Sequence, residues 1–341
     1  MLIAVDWGSS HLRALLLNAN GKIVERRESD QGVLSEHIQR QDSDKAFADT
    51  LAQHCQTWFQ QHGPLPCYLG GMVGSRNGWR EISYLDSRQP LSRLSDELVK
   101  VNEDNCFLIP GVAQCNDNQA ADVMRGEEIQ ILGALETLDS DSALLCLPGT
   151  HSKWAQTSVD ISERKREAYI HSFSTFMTGE LFQWARNNSS LSSLLDAPSQ
   201  SEQDSESCKQ RSFLAGVKSA DKDHPLSQLL FSIRAQCLLG QLDDINLSEF
   251  LSGVIIGQEV RAGLRMAESQ KHCSGEQPIV IIGNPTLTQR YQRALSHFQE
   301  SSSYLDGEEA FSRGVYSIHQ RRQNLNQLTT ADNSQTTRVG L

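Results

Sequence analysis

The chain has 341 residues, 38% hydrophobic and 21% charged, the balance of a soluble globular protein with length enough for two cored α/β domains. Its formal charge of −11 argues against a nucleic-acid backbone as partner, but leaves room for a nucleotide, which needs only a local positive patch. Eight cysteines without a C-x-x-C pair, apolar runs too short to span a bilayer and a first strand beginning at residue 2 predict a cytoplasmic protein with free thiols, no membrane partner and no signal peptide.

Residues 2–29 read as a three-stranded meander. An apolar run ends at Asp6, the turn Gly8-Ser9-Ser10 follows, and a second apolar run spans residues 12–17. Asn20-Gly21 then marks a hairpin into Ile23-Val24-Glu25-Arg26, because both turn residues tolerate positive φ. An acid at a strand end followed by a hydroxyl-rich turn suits phosphate and metal. The turn's N–H groups form an anion-binding nest, and the carboxylate holds Mg²⁺ through water. Residues 44–62 carry Phe47, Leu51, Cys55, Trp58 and Phe59 at helical spacing and stop at Gly63-Pro64. Short buried strands are predicted at 66–70 and 104–110, and a helix over 121–138. Helices between strands imply parallel crossovers and a sheet covered on both faces.

The second half repeats the order. Strands are predicted at 143–148, 151–157, 168–173, 278–283 and 302–305, and helices at 178–187, 225–240, 247–268, 286–298 and 307–320. Residues 188–211, rich in Ser, Gln and acids, read as a mobile insertion, and 321–341 as a flexible tail. The strand–turn device recurs at Leu147-Pro148-Gly149-Thr150-His151 and at Ile282-Gly283-Asn284-Pro285. A basic residue follows each of the first two turns, Arg13 and Lys153. Similar turns in two halves suggest duplicated domains facing one nucleotide, 1–139 and 140–320. Gly253 and Gly257, four apart, suggest close helix packing.

Four further strings narrow the reading: Gly70-Gly-Met-Val-Gly-Ser-Arg-Asn-Gly-Trp79, Asp122-Val-Met-Arg-Gly-Glu-Glu-Ile-Gln130, Leu147-Pro-Gly-Thr-His-Ser-Lys-Trp154 and Ser174-Thr-Phe-Met-Thr-Gly-Glu-Leu-Phe182. With the N-terminal block and Gly253-Val-Ile-Ile-Gly-Gln-Glu259, the chain from residue 2 to about 317 resembles the 2-dehydro-3-deoxygalactonokinases of the sugar kinase/hexokinase/actin/Hsp70 superfamily. The resemblance implies a two-domain actin-like ATPase fold of ribonuclease H-like halves with mixed sheets. The first half would take the sugar acid and the second the nucleotide. It also implies ATP and Mg²⁺ as cofactors and transfer of the γ-phosphoryl group to the C6 hydroxyl of 2-dehydro-3-deoxy-D-galactonate. The alternatives are a kinase of another sugar or sugar acid, such as 2-keto-3-deoxygluconate, and a non-kinase ATPase of the same fold. Whether the chain works as a homodimer is open.

Roles follow residue by residue. Asp6 would orient hydrated Mg²⁺, with Gly8, Ser9 and Ser10 on the phosphates, unless this is only a hairpin with an Asp in its turn. Lys153 would neutralise charge on the transferred group, and Arg13 is either a second such cation or a solvent charge. Gly149 and Thr150 would meet phosphate, and His151 either meets it or caps the loop. Gly283 and Asn284 sit where the superfamily holds adenosine, or form a plain strand–helix turn. The base is Asp122, Glu127 or Glu128. Asp122 stands first, because related kinases place an Asp at the start of a helix here, and its plainer use is an N-cap. Glu127 and Glu128 bind sugar hydroxyls or Mg²⁺ otherwise. Gly71 would let the substrate approach backbone, and Arg76 would bind its carboxylate or lie exposed in a loop. Trp79 is packing or a sugar platform.

Overall fold

The computed structural model describes residues 1–39, 43–101, 105–115, 120–162, 165–195, 205–242, 246–269 and 277–336. It contains two compact units. The first comprises Met1–Asp141, Thr157–Ser172 and Asp306–Leu341, and the second Ser142–Gln156 and Phe173–Leu305.

The first unit opens with β1 (Leu2–Trp7), β2 (Leu12–Leu17) and β3 (Ile23–Ser29). The short α1 (Glu36–Gln39), the long α2 (Ser43–His62) and β4 (Cys67–Gly70) follow. β1 pairs antiparallel with β2 and parallel with β4. Phe47, Leu51, Cys55 and Trp58 recur along one face of α2 and join Ile3, Val5, Trp7, Leu12 and Leu69 in one core. With β6 (Val99–Lys100) and β7 (Cys106–Leu108) the sheet order is β3-β2-β1-β4-β7-β6. The predicted strand at 104–110 is thus narrower, and Asp104 lies outside the described residues.

A separate three-stranded sheet, β5-β8-β9, consists of β5 (Leu85–Asp86), β8 (Val112–Gln114) and β9 (Asp122–Met124). The helix expected over 121–138 is therefore shorter. Residues 122–124 pair antiparallel with β8, Gly126 takes φ 110°, outside the helical region, and α3 spans Glu127–Leu135.

A second sheet repeats the strand order. β10 (Ser142–Leu147), β11 (Ser152–Ser162), β12 (Lys165–Phe176), β13 (Ile279–Gly283) and β14 (Ser302–Asp306) form a sheet ordered β12-β11-β10-β13-β14. The helices of the second unit are α4 (Thr178–Asn188), α5 (Ser192–Leu195), α6 (Glu206–Ala220), α7 (Leu226–Leu238), α8 (Leu247–Ser269) and α9 (Pro285–His297). The packing role expected for Gly253 is met: a Cβ there would run into the Phe213 carbonyl of α6. Of the expected insertion at 188–211, residues 196–204 lie outside the described residues. Leu191 is buried in a helical core and Cys208 is buried on α6.

The last helix, α10 (Gly307–Thr336), does not end at residue 320. It packs on α3 in the first unit, with Gly314 against the Ile129 carbonyl, and carries Arg322 over the Phe107 ring at 3.6 Å. That packing continues the helix into the supposed tail and departs from the expected 140–320 domain. Among the described residues, no helix is long and apolar enough to cross a membrane.

Candidate active site

In the first unit the site grows from the end of β1. The Gly8 N–H donates to the His11 carbonyl at 2.9 Å, closing the turn. The carbonyls of Gly8, Ser9 and Ser10 accept from the N–H groups of Val33, Leu34 and Gly32 at 3.0, 2.9 and 3.2 Å. These bonds tie down the turn's carbonyls. Gly32 approaches so closely that a Cβ there would meet the Ser9 carbonyl and the Ser10 backbone.

Asp6 lies opposite Arg13 in the β1–β2 ladder, with Nη1 3.8 Å from Oδ2. Burial pushes the Asp6 carboxyl up to about 6, against the pull of Arg13, and the Glu127 charge adds to the rise. Arg13 is shared among acids. Its Nε donates to Glu28 at 2.8 Å and lies 3.5 Å from Glu308 on α10. It balances the acids around the strand instead of standing ready for phosphate alone.

Two glycines bring the start of α3 to this strand end. Gly71, at φ 87°, leaves no room for a side chain: a Cβ would lie 2.9 Å from the Trp7 carbonyl and 3.3 Å from Asp6 Oδ1. Gly126 sits on Gly71, its Cβ position 3.3 Å from the Gly71 Cα. Glu127 and Glu128 then form the first helical turn. Glu128 has no exposed surface, and its carboxylate oxygens accept the Gly126 N–H at 2.9 and 2.7 Å. Burial and the Glu127 charge push its carboxyl up to about 8. Glu127 is half-buried, and its Oε2 accepts the Arg125 N–H at 3.1 Å.

Asp122 is not at a helix start. It heads β9 opposite Gln114, and its Oδ1 accepts the Val123 N–H at 2.7 Å. Strand pairing and the turn at Gly126 separate it from α3. Arg76 is exposed, beyond the 3-10 turn Met72–Gly74. Trp79 is packing: it is buried and stacked on Phe47 at 6.0 Å.

In the second unit β10 and β13 are parallel neighbours, Cys146 opposite Ile281, and both end in the predicted turns. A pocket of about 570 Å³ opens there, walled in part by Gly149, Thr150, Thr178, Phe182, Asn284 and Tyr291. The Asn284 side chain caps α9 by accepting the Leu287 N–H at 2.9 Å, with Pro285 in the first turn. The Gly283 carbonyl accepts from the Tyr304 hydroxyl at 3.2 Å. α4 starts on the other turn, since the N–H groups of Gly179 and Glu180 both donate to the Thr150 carbonyl, at 3.1 and 3.2 Å. His151 is exposed and pairs with Glu180 at 2.5 Å, a loop contact. Lys153 is buried with Nζ donating to the His151 carbonyl at 3.0 Å. It braces the turn from beneath, and the pocket wall is formed by Gly149 and Thr150.

Residues 6–318 match the 2-keto-3-deoxy-galactonokinase family. The chain belongs to that family. It is 34% identical over 316 residues to the 2-dehydro-3-deoxygalactonokinase of Escherichia coli (strain K12), covering 93% of this chain and 96% of that one. A Sinorhizobium meliloti protein crystallised under the 2-dehydro-3-deoxygalactonokinase name matches with a TM-score of 0.75 at 29% identity, over 93% of this chain and 98% of that one. The activator of 2-hydroxyisocaproyl-CoA dehydratase from Clostridium difficile, a structure with bound ADPNP, has a TM-score of 0.50 at 8% identity over 96% of this chain and 97% of that one, a likeness of fold alone. The fold is the two-domain actin-like ATPase fold, with mixed sheets.

This family member holds further polar groups that its sequence did not single out. Glu259 of α8 is buried, and its carboxylate accepts from Trp154 Nε1 at 2.8 Å, from the Tyr291 hydroxyl at 2.6 Å and from the Thr178 hydroxyl. Burial raises its pKa, and those bonds, Thr178 foremost, oppose the rise. Arg290, in the pocket wall, is held bidentately by Glu249 at 2.7 and 2.8 Å. Arg125 is buried under the Tyr84 ring at 4.2 Å, and its Nη2 donates to the Ile82 carbonyl at 3.0 Å. The available signal was a charge inside an apolar string, as for Glu259 after Gly253-Val-Ile-Ile-Gly-Gln.

Proposed function

We propose that this chain is a carbohydrate kinase that phosphorylates 2-dehydro-3-deoxy-D-galactonate at the C6 hydroxyl with ATP. The product, 2-dehydro-3-deoxy-6-phosphogalactonate, would serve galactonate and galactose catabolism. The observation that carries this reading is the glycine-turn pocket at the carboxyl ends of β10 and β13 in a chain that belongs to this family over residues 6–318. Ligands of open α/β sheets bind at such strand ends. Phe182, Ile255, Ile256 and Leu287 offer an apolar slot for adenine, and the Gly149–Thr150 turn backs the phosphates.

In this reading Glu127, not Asp122, takes the acceptor's proton. Asp122 belongs to a strand, and Glu128 is fully buried with both carboxyl oxygens on the Gly126 N–H. Glu127 is half-buried at the first position of α3 and coupled to Asp6. The C6 oxygen attacks the γ-phosphorus, the bond to the β–γ bridging oxygen breaks, and the hydroxyl proton passes to the Glu127 carboxylate. The Ser9 and Ser10 N–H groups stabilise phosphate charge. Arg76 is proposed for the substrate carboxylate, with Gly71 giving close backbone approach.

Mg²⁺ suits this donor set. A cation bound mainly by phosphates and water needs only one carboxylate from the protein. Asp6, near the end of β1 opposite Arg13, would be that carboxylate. When bound, the cation supplies charge neutralisation on the triphosphate.

The test is ADP release with ATP·Mg²⁺ and a panel of 2-dehydro-3-deoxy-D-galactonate, its gluconate epimer and D-galactose. Turnover should require the galactonate acid and yield its 6-phosphate. Preference for the epimer would reassign the substrate, and ATP turnover indifferent to every acceptor would remove the kinase reading.

A further inference from the structure

Glu259 stands outside the pocket yet bonds to parts of it from three directions. Trp154 lies on β11 behind the phosphate turn, Thr178 opens α4, and Tyr291 lies on α9. Thr178 and Tyr291 line the pocket themselves. The Tyr291 oxygen is also 3.0 Å from Ser152 Oγ, which accepts the Gly149 N–H at 3.3 Å. Three donors converging on one carboxyl group fit the anion, which accepts at both oxygens and donates nothing.

We infer that Glu259 is the positioning residue of the nucleotide pocket. Its carboxylate fixes the direction of a hydrogen-bond chain running from the Gly149 amide through Ser152 and Tyr291, and sets that turn against α4 and α9. The inference rests on reading the pocket as the ATP site. Because the anion takes the hydroxyl hydrogens of Thr178 and Tyr291, Tyr291 can meet Ser152 only as an acceptor, which draws the Ser152 hydrogen toward it and away from the Gly149 carbonyl 3.3 Å off, and gives the chain one polarity. A glutamine at 259 preserves shape but breaks that polarity. Its NH₂ must face either the Trp154 N–H or the two hydroxyls, so the chain reverses or one bond is lost.

The experiment compares wild type with Glu259→Gln and, as a milder cut of the same chain, Tyr291→Phe. ATP binding is measured by calorimetry, alongside KM for ATP and for the sugar acid. Each variant should weaken ATP binding about tenfold or more, the loss of one hydrogen bond to a charged group, and leave KM for the sugar acid within about twofold. A role confined to stability would instead lower the melting temperature and the active fraction while both KM values stayed put, and that result would overturn the inference. Wild type that binds no ATP would refute the pocket reading itself, whereas wild type and both variants binding ATP equally would refute only the role of Glu259.

Discussion

Asp6 and Arg13 are cross-strand partners whose charges meet loosely, Nη1 standing 3.8 Å from Oδ2, while the same guanidinium donates to Glu28 at 2.8 Å. One cation therefore serves several acids, and Asp6 is left short of compensation. Its carboxyl is pushed up to about 6 by burial, although 31% of the side chain is exposed.

Asp6→Asn should be a stabilising, inactivating change. A raised carboxyl pKa gives stability that is fully present below the ordinary value of 3.8 and lost as pH rises through about 6. Above pH 6 the variant should exceed wild type by about 1–2 kcal/mol, taking about 1.4 kcal/mol per pH unit and discounting for solvent, and the gap should vanish near pH 4. Thermal melts across that range measure it. A variant less stable than wild type at pH 7.5 would contradict the strained carboxylate.

Glu128→Gln should leave stability near wild type below pH 4.5 and outlast it above. The Glu128 carboxyl, pushed up to about 8, contributes stability that is lost as pH rises from 4.5 through 8. An amide does not titrate, so the difference between the melting curves should widen over that window and then level off. Parallel curves from pH 5 to 9 would show that Glu128 is ionised in the fold.

The base is separable by two substitutions. Glu127→Gln should lower kcat about 10²–10⁴-fold with ATP binding retained, the usual weight of a lost general base. Asp122→Asn, on β9 with its Oδ1 accepting the Val123 N–H, should stay within about threefold of wild type. The reverse ranking would return the role to Asp122.

Gly32→Ala tests the Gly8–Ser10 turn without touching a charge. The new methyl would press on the Ser9 and Ser10 backbone, which cannot yield without moving the turn. About 1–3 kcal/mol of stability should be lost, with a raised KM for ATP. Unchanged kinetics would mean that the turn does not meet phosphate.

The strand–turn devices at Asp6, Gly149 and Gly283 and most helices were legible along the chain, α4 expected at 178–187 and found at Thr178–Asn188. These are local matters: apolar periodicity, glycine and asparagine at turns, and proline at a helix start act within a few residues. Which acid heads α3 is a matter of long-range packing, because β9 exists by pairing with β8 and the helix start depends on Gly126 resting against Gly71. The fold alone showed that Arg13 and Lys153 are engaged, and that polar-looking α6 is a helix packed on α8. It also placed Glu259 against Trp154, 105 residues away in the chain. Burial, pKa and hydrogen-bond partnership are sums over neighbours distant in sequence, so no reading along the chain could supply them.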